Sequence, residues 1–291
     1  MSTSKQTARK ESMQEIMAEL EAGVAAVFES DNYIKLLDMM SQFHQYSLNN
    51  CILILSQCPS ATRCASFATW KKLKMPVKKG EKGIKILVPI PYKYQKEQSS
   101  IDDDGNAVTE IVDASGTSFR IGHVFDKQQV NGEFPELCHE LTDDSEQLQA
   151  AVNRIVTECE YIHYDPELKQ GGANGYYRLD DRQIYLRQGM SAGQSLKTII
   201  HEKAHSLLHN SDSEEKYTRE EAETQAESCA YIVCKRFGLN TAQYSFPYLC
   251  SWSSGRELSE LKSSLAVIEK TAKELSDWLA STTNLEMIEP A

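Results

Sequence analysis

His201 and His205 stand four residues apart with Glu202 beside the first, and this HExxH pattern limits what the chain can fold into more than any other feature. Residues i and i+4 of an α-helix lie one turn apart on the same face, so two imidazoles can grip one metal ion while the carboxylate flanks it. The pattern has this chemistry only on a helix, and its surroundings supply one. Ser191 and Gln194 have the form of a capping box, and Leu196, Ile199, Ile200, Leu207 and Leu208 recur near the helical period. The spacing predicts a helix over 191–210.

A catalytic zinc takes three protein ligands and a water, so a third ligand is required. His209 continues the i, i+4 series, but at about 1.5 Å of rise per residue it lies about 12 Å along the axis from His201, too far to share an ion with it. It reads as a helix C-terminal residue. Residues 216–237 form a second helical pattern, with Ala222, Ala226, Ala230, Val233 and Phe237 as its apolar stripe. Glu223 falls at the edge of that stripe and is the ligand expected from the pattern. Glu227 lies further round and is either the alternative ligand or the acceptor of a hydrogen bond from a ligating imidazole. Glu221 is expected on the opposite, solvated face.

The stretch Gly171-Gly172-Ala173-Asn174-Gly175-Tyr176-Tyr177, then Ile184-Tyr185-Leu186, then HEKAHSLLH, then Glu223-Thr224-Gln225-Ala226-Glu227 through Ala230-Tyr231 resembles the ImmA/IrrE-type metallopeptidase domain, in the version carried by ArdC-type antirestriction proteins. Relatives commonly read E-x-E-A-E on the last helix; Gln225 departs at the middle position, which removes it as a ligand. Lys203, where relatives often carry leucine, is expected on the outer face of its helix. Residues 32–90 resemble the amino-terminal domain of the same proteins. The residues that carry this are Phe43 to Asn50 (FHQYSLNN), Ala61-Thr62-Arg63, Phe67-Ala68-Thr69-Trp70 and Lys78-Lys79-Gly80-Glu81-Lys82-Gly83-Ile84, with a later piece over 119–130. The resemblance implies single-stranded DNA binding and an antirestriction role on a mobile element.

Charge patterning agrees. Between Arg63 and Lys96 there are ten basic residues against one acid, Glu81, in a chain of net charge −11. Phe67, Trp70, Tyr92 and Tyr94 are interleaved with them, the combination with which single-strand binders pair phosphates and stack bases. Tyr46, Arg63, Trp70, Lys71, Lys72, Lys78, Lys79 and Lys82 are the candidate DNA contacts. Tyr46 and Trp70 also suit buried packing.

The fold class expected is α+β in two domains. Residues 1–135 would be the α+β single-stranded-DNA-binding domain, and 136–291 a mostly helical zincin-like domain with a small sheet; 291 residues suffice for both. Helices are predicted around 33–43, from a cap at Ser47 to before Pro59, and over 258–279, with a strand at 84–89. Residues 97–118 read as an acidic loop or hairpin extension, and the Asp102–Asp104 run as a solvated turn, since the spacing of a calcium loop fails. Eight cysteines without a C-x-x-C pair argue against a disulfide framework or zinc knuckle. No apolar stretch has membrane-spanning length and no signal peptide is recognised, so no membrane partner and a cytoplasmic location are expected.

The function these features predict is a zinc-dependent metallopeptidase-like protein that binds single-stranded DNA and acts on a protein or peptide substrate. Zn2+ is held by His201, His205 and Glu223, Glu202 is the general base, and Glu227 orients an imidazole. Residues 173–177 form an edge strand for an extended substrate, with Tyr176 or Tyr177 near the oxyanion. Two alternatives stand beside it: a DNA-protective protein whose zinc site is structural or vestigial, and a regulatory protease that cleaves a repressor.

Overall fold

The computed structural model describes residues 2–28, 32–101, 107–132, 144–210, 217–239, 253 and 256–288. The fold is α+β, with eight α-helices and two three-stranded sheets among the described residues. The expected division at 135/136 and the acidic run 102–104 lie outside the described residues.

Helix α1 (Ser2–Val27), which the sequence pattern did not announce, buries Ile16, Leu20, Val24 and Val27 along one stripe. It packs on α3 (Leu48–Gln57), where a Cβ on Gly23 would meet Ile52 Cγ2 at 2.7 Å; only glycine allows the two axes this approach. Helix α2 (Asn32–Gln42) lies between them in sequence and turns Tyr33, Leu36, Leu37 and Met40 inward.

Strand β1 (Cys64–Ser66) and helix α4 (Phe67–Lys72) precede a long antiparallel hairpin of β2 (Ile84–Ile101) and β3 (Ala107–Asp126), paired from Ile84↔Val124 to Ile101↔Ala107. The strand expected at 84–89 is therefore three times as long and runs on into the hairpin extension expected over 97–118. Ser66 caps α4 by accepting from the Thr69 N–H at 3.1 Å.

Helix α5 (Glu146–Glu158) leads into a second sheet of order β4-β6-β5, built from β4 (Ile162–Asp165), β5 (Gly175–Arg178) and β6 (Gln183–Arg187). Helix α6 (Ala192–Leu208) carries the HExxH residues, α7 (Arg219–Arg236) the acidic segment, and α8 (Leu258–Thr282) closes the bundle. Ser191 accepts from the Gln194 N–H at 3.2 Å, but the Gln194 side chain turns to Thr198 Oγ1 at 3.3 Å, so half of the capping box forms. Ser47 stands at the N-cap of α3 without a side-chain capping bond.

One hydrophobic cluster runs from α1 through α2 and α3 to α6, α7 and α8. Polar bonds cross it at α7: the Tyr33 hydroxyl meets Ser228 Oγ at 2.7 Å, and the Tyr231 hydroxyl donates to Asp38 Oδ1 at 2.8 Å. Six cysteines among the described residues are free thiols. No helix among the described residues is long and apolar enough to cross a membrane.

Candidate functional site

Helices α6 and α7 lie side by side, and their facing turns bring His201, His205 and Glu223 together. His201 Nε2 is 3.2 Å from His205 Nε2, and Glu223 Oε2 is 3.6 Å from the first and 3.8 Å from the second. A tetrahedral ion with bonds of about 2.1 Å sets its donors about 3.4 Å apart, so this triangle has the dimensions a zinc-sized ion requires. Two nitrogens and one carboxylate oxygen also suit zinc chemically.

Each imidazole is oriented through its other nitrogen. His201 Nδ1 lies 3.1 Å from Glu227 Oε2. His205 Nδ1 lies 2.9 Å from His209 Nδ1, His209 Nε2 lies 3.0 Å from Gln225 Oε1, and Gln225 Nε2 donates to Ser264 Oγ at 2.6 Å. Because the Gln225 carbonyl oxygen can only accept, the neutral His209 ring carries its proton on Nε2 and accepts on Nδ1. His205 then donates from Nδ1, which leaves the Nε2 lone pair facing His201 and Glu223. Burial pushes the His209 pKa down to about 4, which keeps the ring neutral as this chain requires. Position 225 thus lies outside the triangle and supports the His205 ring from the far end of this chain.

Charge is arranged around the triangle. Burial opposes a charged His201, but the hydrogen bonds to Glu223 and Glu227, with Glu202 nearby, outweigh it and raise its pKa to about 10. The same bonds from His201 and His205 hold the Glu223 carboxyl well below the usual carboxylate range. Glu202 is 9% exposed; burial raises its pKa, against the lowering effects of both histidines and of a hydrogen bond from the Tyr177 main chain.

That last contact comes from β5, the outer strand of its sheet as expected. A cavity of about 330 Å³ opens between β5 and α6, lined by Asn174, Gly175, Thr198, His201, Glu202 and Glu227 among others. A Cβ on Gly175 would sit 2.6 Å from Thr198 Cγ2, so glycine is what lets strand and helix approach. The Tyr176 side chain is turned away from the triangle: it stacks on Tyr185, with ring centroids 5.1 Å apart, and donates to Asp165 Oδ2 at 2.9 Å. Alternation along the strand turns Tyr177 to the other face, where it packs against the core. The Tyr176 hydroxyl is thus engaged with Asp165.

Two further expectations change. Glu221 is 7% exposed rather than solvated, and pairs with Arg256 at 2.7 Å, because helix α8 and the residues before it cover that face of α7. Lys203 is half-buried, not outward: its Nζ donates to the Tyr161 hydroxyl at 2.8 Å and lies 4.6 Å from the Trp278 ring centroid.

In the front half, Lys71, Lys72, Lys78, Lys79 and Lys82 are exposed, on α4 and on the turns leading to β2. Trp70 does not join them. It is 0% exposed and donates from Nε1 to the Phe125 carbonyl at 2.8 Å, pinning α4 to β3. Phe67, one turn earlier and 56% exposed, faces solvent beside the α4 lysines, and Tyr92 and Tyr94 on β2 are exposed as well. The Tyr46 hydroxyl is spent on the Cys64 carbonyl at 2.9 Å, and Arg63 is half-buried.

Residues 6–125 match the family described as the N-terminal domain of anti-restriction factor ArdC. Over those residues the chain is similar to ArdC-type proteins. An uncharacterized protein of Bacillus anthracis is 29% identical to this chain over 301 residues, covering 90% of the chain and 50% of that protein. The chain therefore spans half the length of that relative. The Mn(II)-bound crystal structure of antirestriction ArdC protein from the R388 plasmid aligns with a TM-score of 0.50 at 17% identity, over 92% of this chain and 97% of that one, a likeness of fold. The metal-free structure of the same protein aligns with a TM-score of 0.46 at 20% identity, over 83% and 86%.

Proposed function

We propose that this chain is a divalent-metal-dependent peptidase that binds single-stranded DNA and protects incoming DNA from restriction. The observation that carries the hydrolytic half is a buried carboxylate, Glu202, beside three donors spaced for one ion at the edge of an exposed strand. A purely structural site has no use for an acid kept from water next to it.

In this reading His201, His205 and Glu223 hold zinc, Glu227 fixes the His201 ring, and the His209–Gln225 chain fixes the His205 ring. The bound ion would supply Lewis acidity and a water acidified toward neutral pH. An extended peptide lies along the outer edge of β5, in the cavity beside α6. Glu202 takes the proton of the attacking water; its raised pKa suits it to return that proton to the leaving amine. In the front half, Lys71, Lys72, Lys78, Lys79 and Lys82 pair with phosphates and Phe67 stacks on a base.

Glu202→Gln separates the halves. This variant should keep its metal and its affinity for a single-stranded oligonucleotide, yet lose both peptide cleavage and antirestriction activity. Full antirestriction activity with Glu202→Gln would show that protection rests on DNA binding alone. Metal content after loading with zinc or manganese, the ion named for the R388 structure, identifies the cation.

A further inference from the structure

We propose that the cavity where the α2–α3 corner meets α7 and α8 is a binding site for a phosphate group, separate from the metal centre. It encloses about 330 Å³, near the lower end of the range for small-molecule pockets, about 300–1,000 Å³. His44 and Ser47 line it from the corner, Arg236 from α7, and Glu269, Lys270 and Lys273 from α8.

Arg236 is the informative residue. It is 5% exposed, yet its guanidinium meets only neutral acceptors: Nη1 donates to the Ala272 carbonyl at 3.3 Å and Ser276 Oγ at 3.0 Å, and Nη2 to the Met40 carbonyl at 3.2 Å. Its Nε has no partner among the described residues. Glu269 and Asp277 act on it only through space. A buried cation without a carboxylate in contact is costly, and an anion in the adjoining cavity would compensate it.

The rest of the lining has the same sign. Lys270 and Lys273 stand three residues apart on α8, exposed at the mouth, and form no ion pair among the described residues. The acid in the lining, Glu269, is engaged: its Oε1 accepts from the Leu48 N–H at 2.8 Å. Arg236, Lys270 and Lys273 against Glu269 leave a surplus of two positive charges in a chain of net charge −11. The cavity also meets the positive end of the α3 dipole at Ser47, whose side chain makes no capping bond. Several donors and a net positive charge around a small space suit a tetrahedral oxyanion, either free phosphate or the phosphate of a nucleic-acid strand.

The full chain tests this by thermal unfolding at constant ionic strength with inorganic phosphate or chloride, and by anisotropy with a short single-stranded oligonucleotide. Phosphate should raise the melting temperature above chloride. The Lys270→Glu/Lys273→Glu pair, exposed and outside the core, should weaken the apparent affinity about tenfold or more, while Lys169→Glu on a distant loop leaves it unchanged. If the oligonucleotide, and not inorganic phosphate, responds to the pair, the site takes a strand phosphate. The proposal falls if neither probe responds to the pair, or if Lys169→Glu weakens binding as much, since general charge attraction would then account for it.

Discussion

Gln225 sits three contacts away from the proposed ion, and its carbonyl oxygen still decides which nitrogen of His205 is free. Gln225→Ala should therefore weaken zinc binding about 10–100-fold in a chelator competition, with Gln225→Glu, which keeps an acceptor, falling between that variant and wild type. Equal affinity in Gln225→Ala would leave His209 with a packing role only. Glu223→Ala should lose metal retention outright, whereas Glu227→Gln should weaken it; the reverse order would exchange ligand and support. The pH dependence has a definite sign. The folded-state pKa of His201 is raised from about 6.5 to about 10, so its contribution to metal-free stability is complete below about pH 6.5 and is lost as pH rises through about 10. Urea unfolding of the chelator-treated protein should show falling midpoints across that window, with a smaller fall in His201→Gln. The metal must displace this proton, so binding should release protons to buffer in calorimetry.

At the scale of elements, α4 is exposed at its first residue and buried one turn on. Trp70 fills the fold beneath it and Phe67 looks out beside Lys71. Trp70→Ala should cost about 3–5 kcal/mol of stability, measured by denaturant unfolding. Phe67→Ala should leave the fold intact and cost about 1–3 kcal/mol in single-strand affinity, measured by anisotropy. A Phe67→Ala variant that binds DNA as well as wild type would remove stacking from the proposal and leave phosphate pairing alone.

For the whole molecule, the central fact is that α7 carries Glu223 and Glu227 on one side while α2, from the front of the chain, packs on another. Ser228 Oγ already donates to the Thr224 carbonyl at 2.6 Å, so the Tyr33 hydroxyl is the donor in the bond between them. Tyr33→Phe should cost about 1 kcal/mol. Because α2 supports the helix that bears the ligands, metal loading should slow amide exchange in α2 as well as in α6 and α7; protection confined to α6 and α7 would show that the two halves open independently. The helices α6 and α7, the edge strand at β5 and the grouping of His201, His205 and Glu223 were all legible in the chain, because helical periodicity and i, i+4 spacing are local properties that tertiary contacts only had to accept. The length of the β2–β3 hairpin, the burial of Trp70, Glu221 and Lys203, and the outward turn of Tyr176 were not legible. Each depends on which distant surface arrives: Phe125 beside Trp70, Arg256 beside Glu221, Trp278 beside Lys203, Asp165 beside Tyr176. Local sequence fixes which faces a helix or strand has; only the assembled fold decides what covers them.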